Sequence, residues 1–302
     1  MELKQLRSFA AVVKYESFTK AAQKLYLSQP TVSAHVRALE EELGKRLILR
    51  STKNVEITAT GRRVYDYVVN MLDLQERITA CCRDRERNII YLGASTIPAS
   101  YILPEILPEF GRLHPDTYFV IHQGNSQDVI DGVQGGLFDI GLVGMKQESA
   151  DIDCSPFYRD RIVLITPVTQ HFLDLQQMPC TPVGELLAQP MILREKGSAG
   201  NKSATDYLES MGVSEDDLHV VARINDQEGI KNLVAGGVGV SLISERAARS
   251  FVKERRLLMF ELPSSESRTF YIVSRRSGAP ERRAQELELY IQAYFRESSP
   301  GI

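Results

Sequence analysis

The 302-residue chain has four cysteines and five histidines, and neither set is arranged for metal chemistry. Cys81 and Cys82 are adjacent, Cys154 and Cys180 stand alone, and no C-x-x-C pair occurs, so zinc is not expected. Reduced thiols are the default, and a redox pairing of Cys154 with Cys180 stays open. His35, His114, His122, His171 and His219 are scattered without ligand spacing. No phosphate-loop motif is present. Gly236-Gly237-Val238-Gly239 precedes a strand, whereas a dinucleotide fingerprint follows one, so it reads as a turn. No Ser-His-Asp constellation can be proposed from spacing. No metal, cofactor or enzymatic activity is therefore expected. Apolar runs fall short of the roughly 18 residues a membrane span needs. Residues 1–25 carry Lys4, Arg7, Lys14, Lys20 and Lys24 with no sustained apolar core, so no signal peptide is expected and a cytoplasmic location is.

Acid is scarce where the chain reads most clearly. Residues 17–44 spell two short helices around a tight turn at Tyr26-Leu27-Ser28. Thr19 is placed to cap the first helix, and Ala21-Ala22 give it a small packing face. Ser28 is placed to cap the second, with Pro30 in its first turn, where a missing N–H costs nothing. Val32, Val36, Leu39 and Leu43 recur at helical spacing, and Gly44 ends the helix. The opposite face holds Gln29, Thr31, Ser33, Ala34 and Arg37, with no acid until Glu40. Such a face can enter a major groove without repulsion, the geometry of a helix-turn-helix. His35 lies within the same helix, where a solvent- or phosphate-facing role is expected rather than ligation.

Leu47-Ile48-Leu49-Arg50, a turn at Ser51-Thr52-Lys53-Asn54 and Val55-Glu56-Ile57-Thr58 read as a hairpin wing. Arg50, Ser51 and Lys53 would sit near its tip, placed for phosphates. Residues 1–63 hold 12 Lys and Arg against 6 Asp and Glu, a net of +6; the chain as a whole is −3, so residues 64–302 carry −9. A basic head on an acidic body is expected when only one end meets nucleic acid.

Proline is absent from Thr60 to Arg87, and glycine after Gly61. Within that stretch Val64, Tyr67, Met71, Leu74, Ile78 and Cys81 repeat at 3-4 spacing with charges outside the seam, which suits pairing of two helices.

Leu3-Lys4-Gln5-Leu6-Arg7-Ser8-Phe9, Ser17-Phe18-Thr19-Lys20-Ala21-Ala22, Leu27-Ser28-Gln29-Pro30-Thr31-Val32-Ser33 and Leu39-Glu40-Glu41-Glu42-Leu43-Gly44 together resemble the LysR-type transcriptional regulators. Leu49-Arg50-Ser51 and Thr58-Ala59-Thr60-Gly61 fit the same pattern, dense over residues 1–65 and more diffuse beyond. The resemblance implies an α/β architecture in three parts: a winged helix-turn-helix at 1–60, a dimerising linker helix at 61–87, and an effector domain at 88–302. That domain would have two periplasmic-binding-protein-like lobes, about 88–160 with 266–302 and about 161–265. It further implies double-stranded promoter DNA as partner, and homodimers that pair into tetramers. Gly93-Ala94-Ser95-Thr96-Ile97-Pro98 and Gly124-Asn125-Ser126 look most like regulators of sulfur and cysteine metabolism, which implies a small oxyanion or an amino-acid precursor as effector.

The residues themselves support a sensor domain. From about 89 onward strands and helices alternate, which predicts parallel sheets covered by helices. Ligands bind such sheets at the strands' carboxyl ends, where helices begin. Ser95 and Thr96, Asn125 and Ser126, and Gly144 follow three strands of the first series. Lys196 with Ser198, and Asn225 with Gln227, follow strands of the second. Hydroxyls, amides and free helix N–H groups suit a small anion. A competing reading is a solute-binding or enzymatic α/β protein whose N-terminal helices serve only assembly; a gel shift with promoter DNA separates the two.

Overall fold

The computed structural model describes residues 1–50, 55–81, 88–195, 199–263, 267–276 and 282–298. Lys53, Ser51, Lys196 and Ser198 lie outside them. Two units form, Met1–Glu86 and Arg87–Ile302.

In the first unit, α1 (Leu3–Tyr15), α2 (Phe18–Leu25) and α3 (Gln29–Leu43) bury Leu6, Phe9, Val12, Ala21, Val32, Val36 and Leu39 in one core. Ser17, not Thr19, caps α2: its extended backbone lets Oγ accept from the Lys20 N–H at 3.3 Å, whereas Thr19 already lies inside the helix. Ser28 caps α3, and Gly44 ends it at φ +62°, a left-handed conformation that costs glycine little. Strands β1 (Ile48–Arg50) and β2 (Val55–Ile57) pair antiparallel as the wing, Ile48 opposite Ile57. Helix α4 (Ala59–Cys81) follows at once. Gly61 lets it start against the wing: a Cβ there would lie 2.1 Å from the Leu47 carbonyl oxygen.

The second unit opens with β3 (Asn88–Ala94), a π-helical turn at Pro98–Ile102, α5 (Leu103–Leu113), β4 (Thr117–Gln123), α6 (Ser126–Gln134), β5 (Ile140–Val143) and β6 (Ile152–Asp160). The chain then enters a second lobe through β7 (Ile162–Pro167). There follow α7 (Gln170–Gln176), α8 (Val183–Leu187), β8 (Met191–Arg194), α9 (Ala199–Ser210), β9 (Val220–Ile224), α10 (Gln227–Ala235), β10 (Ser241–Ser244), α11 (Glu245–Lys253) and β11 (Leu257–Glu261). It returns through β12 (Arg268–Arg275) and closes with α12 (Arg282–Ser298).

The sheets are mixed rather than parallel throughout. In lobe I the order is β4-β3-β5-β12-β6, with β12 antiparallel to both neighbours. In lobe II, β7 lies antiparallel between β10 and β11, while β8 pairs parallel with β9 and bridges to Val240. The reversed strands share a cause. Strands whose carboxyl ends face the cleft can also carry the chain out of a lobe, as β6 and β11 do. A strand that brings the chain in starts at the cleft and must run away from it, as β7 and β12 do. Alternation of strand and helix does not reveal which strands make the crossings.

Candidate DNA-binding head and effector cleft

On α3, Ser28, Gln29, Pro30, Ala34 and Arg37 are exposed, and Thr31 and Ser33 are half-buried. Ser28 Oγ accepts from the Thr31 N–H at 3.2 Å and lies 2.7 Å from Thr31 Oγ1, so the hydroxyl pair is fixed at the helix start. His35 is placed differently from its expected outward role. Its Nδ1 shares a 2.8 Å hydrogen bond with Ser8 Oγ, which is fully buried, so it ties α3 to α1. Arg50 stands opposite Val55 in the wing, at the last described position before the tip.

Two features of the head were not visible in the sequence pattern. Tyr26 projects from the turn almost wholly exposed, its backbone left-handed at φ 56° as the cap of α2. Glu40 turns inward. Its side chain is 4 % exposed, and Oε1 accepts from the Leu47 and Ile48 N–H groups at 2.8 and 3.0 Å. It thereby anchors the wing's first strand to α3, with Arg46 3.5 Å from Oε2. Hydrogen bonds to a charged acceptor contribute about 1.5–3 kcal/mol each. Glu40→Ala should therefore destabilise the head by about 3 kcal/mol, and Glu40→Gln, which keeps an acceptor, by less than half as much. Chemical denaturation of a fragment ending near residue 86 measures this; equal losses in both variants would contradict the anchoring role.

Helix α4 carries two apolar faces. Val68 is buried, and Val64, Tyr65 and Leu72 pack on the head's core, with Gln75 accepting from Arg7 Nη2 at 2.7 Å. Val64 therefore serves the head, although its spacing places it in the seam. Leu74 is half-buried. Tyr67 and Ile78 are each 67 % exposed and Met71 is exposed, forming an apolar stripe that no described residue covers.

In the second unit a cavity of about 690 Å³ opens between the lobes. Ser95 and Thr96 line it from the end of β3, Asn125 and Ser126 from the start of α6, Gly144 from the end of β5, and Asn225 and Gln227 from the end of β9 and the start of α10. All seven described residues expected at an effector site are thus brought together. Some also do structural work. Asn125 caps α6 by accepting from the Asp128 N–H at 2.9 Å, and Ser126 Oγ accepts from the Gly144 N–H at 3.3 Å.

The pattern did not reveal the charged wall. Arg194, the last residue of β8, is only 9 % exposed, and among the described residues no carboxylate pairs with it. Among the described residues its Nε has no hydrogen-bond partner, nor have Ser95 Oγ and Gln227 Oε1, both buried. Unmade hydrogen bonds of this kind cost about 1–3 kcal/mol each, and a buried unpaired charge costs more. Arg268 also lines the cavity, but its Nε and Nη2 donate to Asp160 Oδ2 at 3.1 and 2.8 Å. Asp160 has no exposed side-chain surface, and its Oδ1 accepts from the Arg246 N–H at 3.3 Å. Because Asp160 ends β6 and Arg268 begins β12, this pair sits where the chain crosses between the lobes. Tyr101, in the π-helical turn, reaches across and donates to Glu228 Oε1 at 2.8 Å. Burial, then that bond, push the phenol's pKa up, so it stays the donor. Glu228 also pairs with Lys231 at 2.7 Å.

Among the described residues no group of three His, Cys, Asp or Glu is placed to hold a metal ion, and no helix is long and apolar enough to cross a membrane. Cys154 and Cys180 are free thiols.

A winged helix-turn-helix on a long helix, followed by two lobes around a polar, ligand-sized cleft, defines a one-component transcriptional regulator with its own sensor domain. Residues 3–62 match the family described as "Bacterial regulatory helix-turn-helix protein, lysR family", and residues 83–296 match "LysR substrate binding domain". The chain belongs to the LysR family, and it is a DNA-binding transcriptional regulator rather than an enzyme. It is 29 % identical over 260 residues to the HTH-type transcriptional regulator CysL of Bacillus subtilis, covering 85 % of each chain. It is 33 % identical over 244 residues to the uncharacterized HTH-type transcriptional regulator YeiE of Escherichia coli K12, covering 81 % of this chain and 80 % of that one. The crystal structure of full-length CbnR complexed with its target DNA shares the fold, with a TM-score of 0.72, 18 % identity, and coverage of 99 % of this chain and 100 % of that one.

Proposed function

We propose that the cleft binds a small effector through an anionic group whose counter-charge is Arg194, and that binding alters how the head engages promoter DNA. Arg194 is the observation that carries this reading, because buried charges in proteins are paired or held for a ligand. Ser95, Thr96 and the start of α6 face it from the other lobe with hydroxyls and helix N–H groups. A ligand touching both lobes binds an open cleft less well than a closed one, so it shifts the balance between them. Fluorescence anisotropy on promoter DNA, with and without millimolar sulfate, phosphate and small carboxylates, tests the coupling. A change of affinity with at least one of them is expected; identical binding curves with all would overturn it.

In the same reading Gln29, Pro30, Thr31, Ser33 and Arg37 address the major groove, and Arg50, Ser51 and Lys53 hold phosphates. A cytoplasmic location follows from work on chromosomal DNA. Tyr67, Met71 and Ile78 pair with a second copy, giving a dimer and a two-fold DNA site, and dimers join into tetramers through the sensor units. Met71→Asp places a charge in that seam. Sedimentation should then show loss of the dimer at micromolar concentration, with specific DNA affinity falling about 100-fold or more. An unchanged assembly would remove the stripe from the interface.

A further inference from the structure

The charges around the cleft restrict which anion-bearing molecules suit it. Lobe I contributes Ser95, Thr96, Asn125 and Ser126 to the wall but no carboxylate. Lobe II contributes Arg194 together with Glu195, Asp226 and Glu228, and Arg268 stands at the crossing, already neutralised by Asp160. With Arg268 matched by Asp160 and Glu228 by Lys231, Arg194 is balanced by Asp226 among the described residues, and a bare anion would enter a cleft with no excess of positive charge. Within the cleft, acceptors cluster at the start of α10, whereas Arg194 and the hydroxyls of Ser95 and Thr96 offer donors elsewhere along the wall.

That acceptor cluster holds unused accepting capacity. Gln227 is 4 % exposed, and its Oε1 has no donor among the described residues. Asp226, beside it, accepts the Gly229 N–H at 2.7 Å as the cap of α10, and a carboxylate can accept several hydrogen bonds. Glu228, by contrast, is engaged by Tyr101 and Lys231. A ligand meeting this end of the cleft has to bring donors. The volume of about 690 Å³ falls in the range of small organic ligands and far exceeds the need of an inorganic oxyanion.

We propose that the effector is a small zwitterion, an α-amino acid with a free ammonium group. Its carboxylate sits on Arg194 and the helix starts of lobe I, and its ammonium on Asp226 and Gln227 Oε1. This rests on Arg194 as the anion anchor and adds the opposite pole. With a net charge of zero, such a ligand meets no penalty from the acidic wall, and it satisfies donor and acceptor in one step.

Calorimetry on the full chain tests the inference with the twenty protein amino acids, each beside its N-acetyl form, and with sodium sulfate. At least one amino acid should bind, its N-acetyl form at least about ten-fold more weakly, since acetylation removes the charged donor. Asp226→Asn, which still caps α10, should weaken the amino acid about ten-fold and move the N-acetyl form less than about two-fold. Its melting temperature should stay at the wild-type value, which separates lost recognition from lost folding. Binding of sulfate or an N-acetyl form as tightly as any amino acid, or binding of no amino acid, overturns the zwitterion. Sulfate or N-acetyl binding that Arg194→Met abolishes would leave the anion anchor standing, whereas binding untouched by that change would overturn the anchor.

Discussion

Arg194→Met is expected to weaken effector binding about 100-fold or more while raising the melting temperature of the unliganded protein. Both effects follow from one arrangement. The guanidinium is nine-tenths buried with no carboxylate among the described residues, and its Nε makes no hydrogen bond to them. An anionic ligand supplies both needs, and two charge-assisted hydrogen bonds at about 1.5–3 kcal/mol each amount to at least two orders of magnitude in affinity. Without ligand the same group is a burden. Methionine keeps much of the stem's volume and removes the charge, a kind of replacement that stabilises by about 1–4 kcal/mol where buried ions are poorly compensated. Thermal unfolding and effector-dependent DNA binding measure the two halves. A variant that melts well below wild type and still responds to effector would refute the account.

Asp160→Ala should act in the opposite sense. Removing a fully buried carboxylate leaves Arg268, itself mostly buried, without its partner and the Arg246 N–H without an acceptor. Breaking a buried pair from one side costs about 3–5 kcal/mol. In a unit of this size that lowers the melting temperature by on the order of 10 °C. Asp160→Asn, whose one amide oxygen can still accept from Arg268 but leaves its NH2 facing the Arg246 N–H, should lose less than Asp160→Ala. Calorimetric scanning of the full chain should show the loss in the transition of the sensor unit alone. A shift under about 2 °C for Asp160→Ala would mean the pair at the crossing contributes little.

Local chemistry was legible in the sequence where one residue decides one feature. Ser28, Pro30 and Gly44 mark the ends of α3, and Val32, Val36 and Leu39 give its buried face. The hydroxyls and amides that follow each strand converge because carboxyl ends of strands share one side of a sheet. What stayed hidden depends on neighbours distant in sequence. Arg194 follows Met191-Ile192-Leu193, and nothing local distinguishes a buried arginine at a strand end from one in solvent. Glu40 continues with Glu41 and Glu42 as an ordinary acidic run, yet the wing's two N–H groups draw it inward. His35 looks outward by position until Ser8, 27 residues earlier, claims its ring. Val64 and Tyr67 share one apolar spacing, and only the packing of α4 on the head divides them between two faces. The mixed sheets were missed for a related reason, since strand direction is set by which strands carry the crossings.

The position of β12 bears on how the protein is made. It lies between β5 and β6 inside the sheet of lobe I, although more than a hundred residues separate it from them in the chain. As the polypeptide leaves the ribosome, lobe I must wait with two unpaired strand edges until the whole of lobe II has emerged and residues 268–275 arrive to fill the gap. Such long-range closure is slow and leaves an intermediate prone to pairing with other chains. Nonsense changes between residues 161 and 267, which leave β6 without β12, should accordingly yield aggregates rather than a working half-sensor. Lobe II, contiguous in the chain, is the part able to acquire structure while synthesis continues.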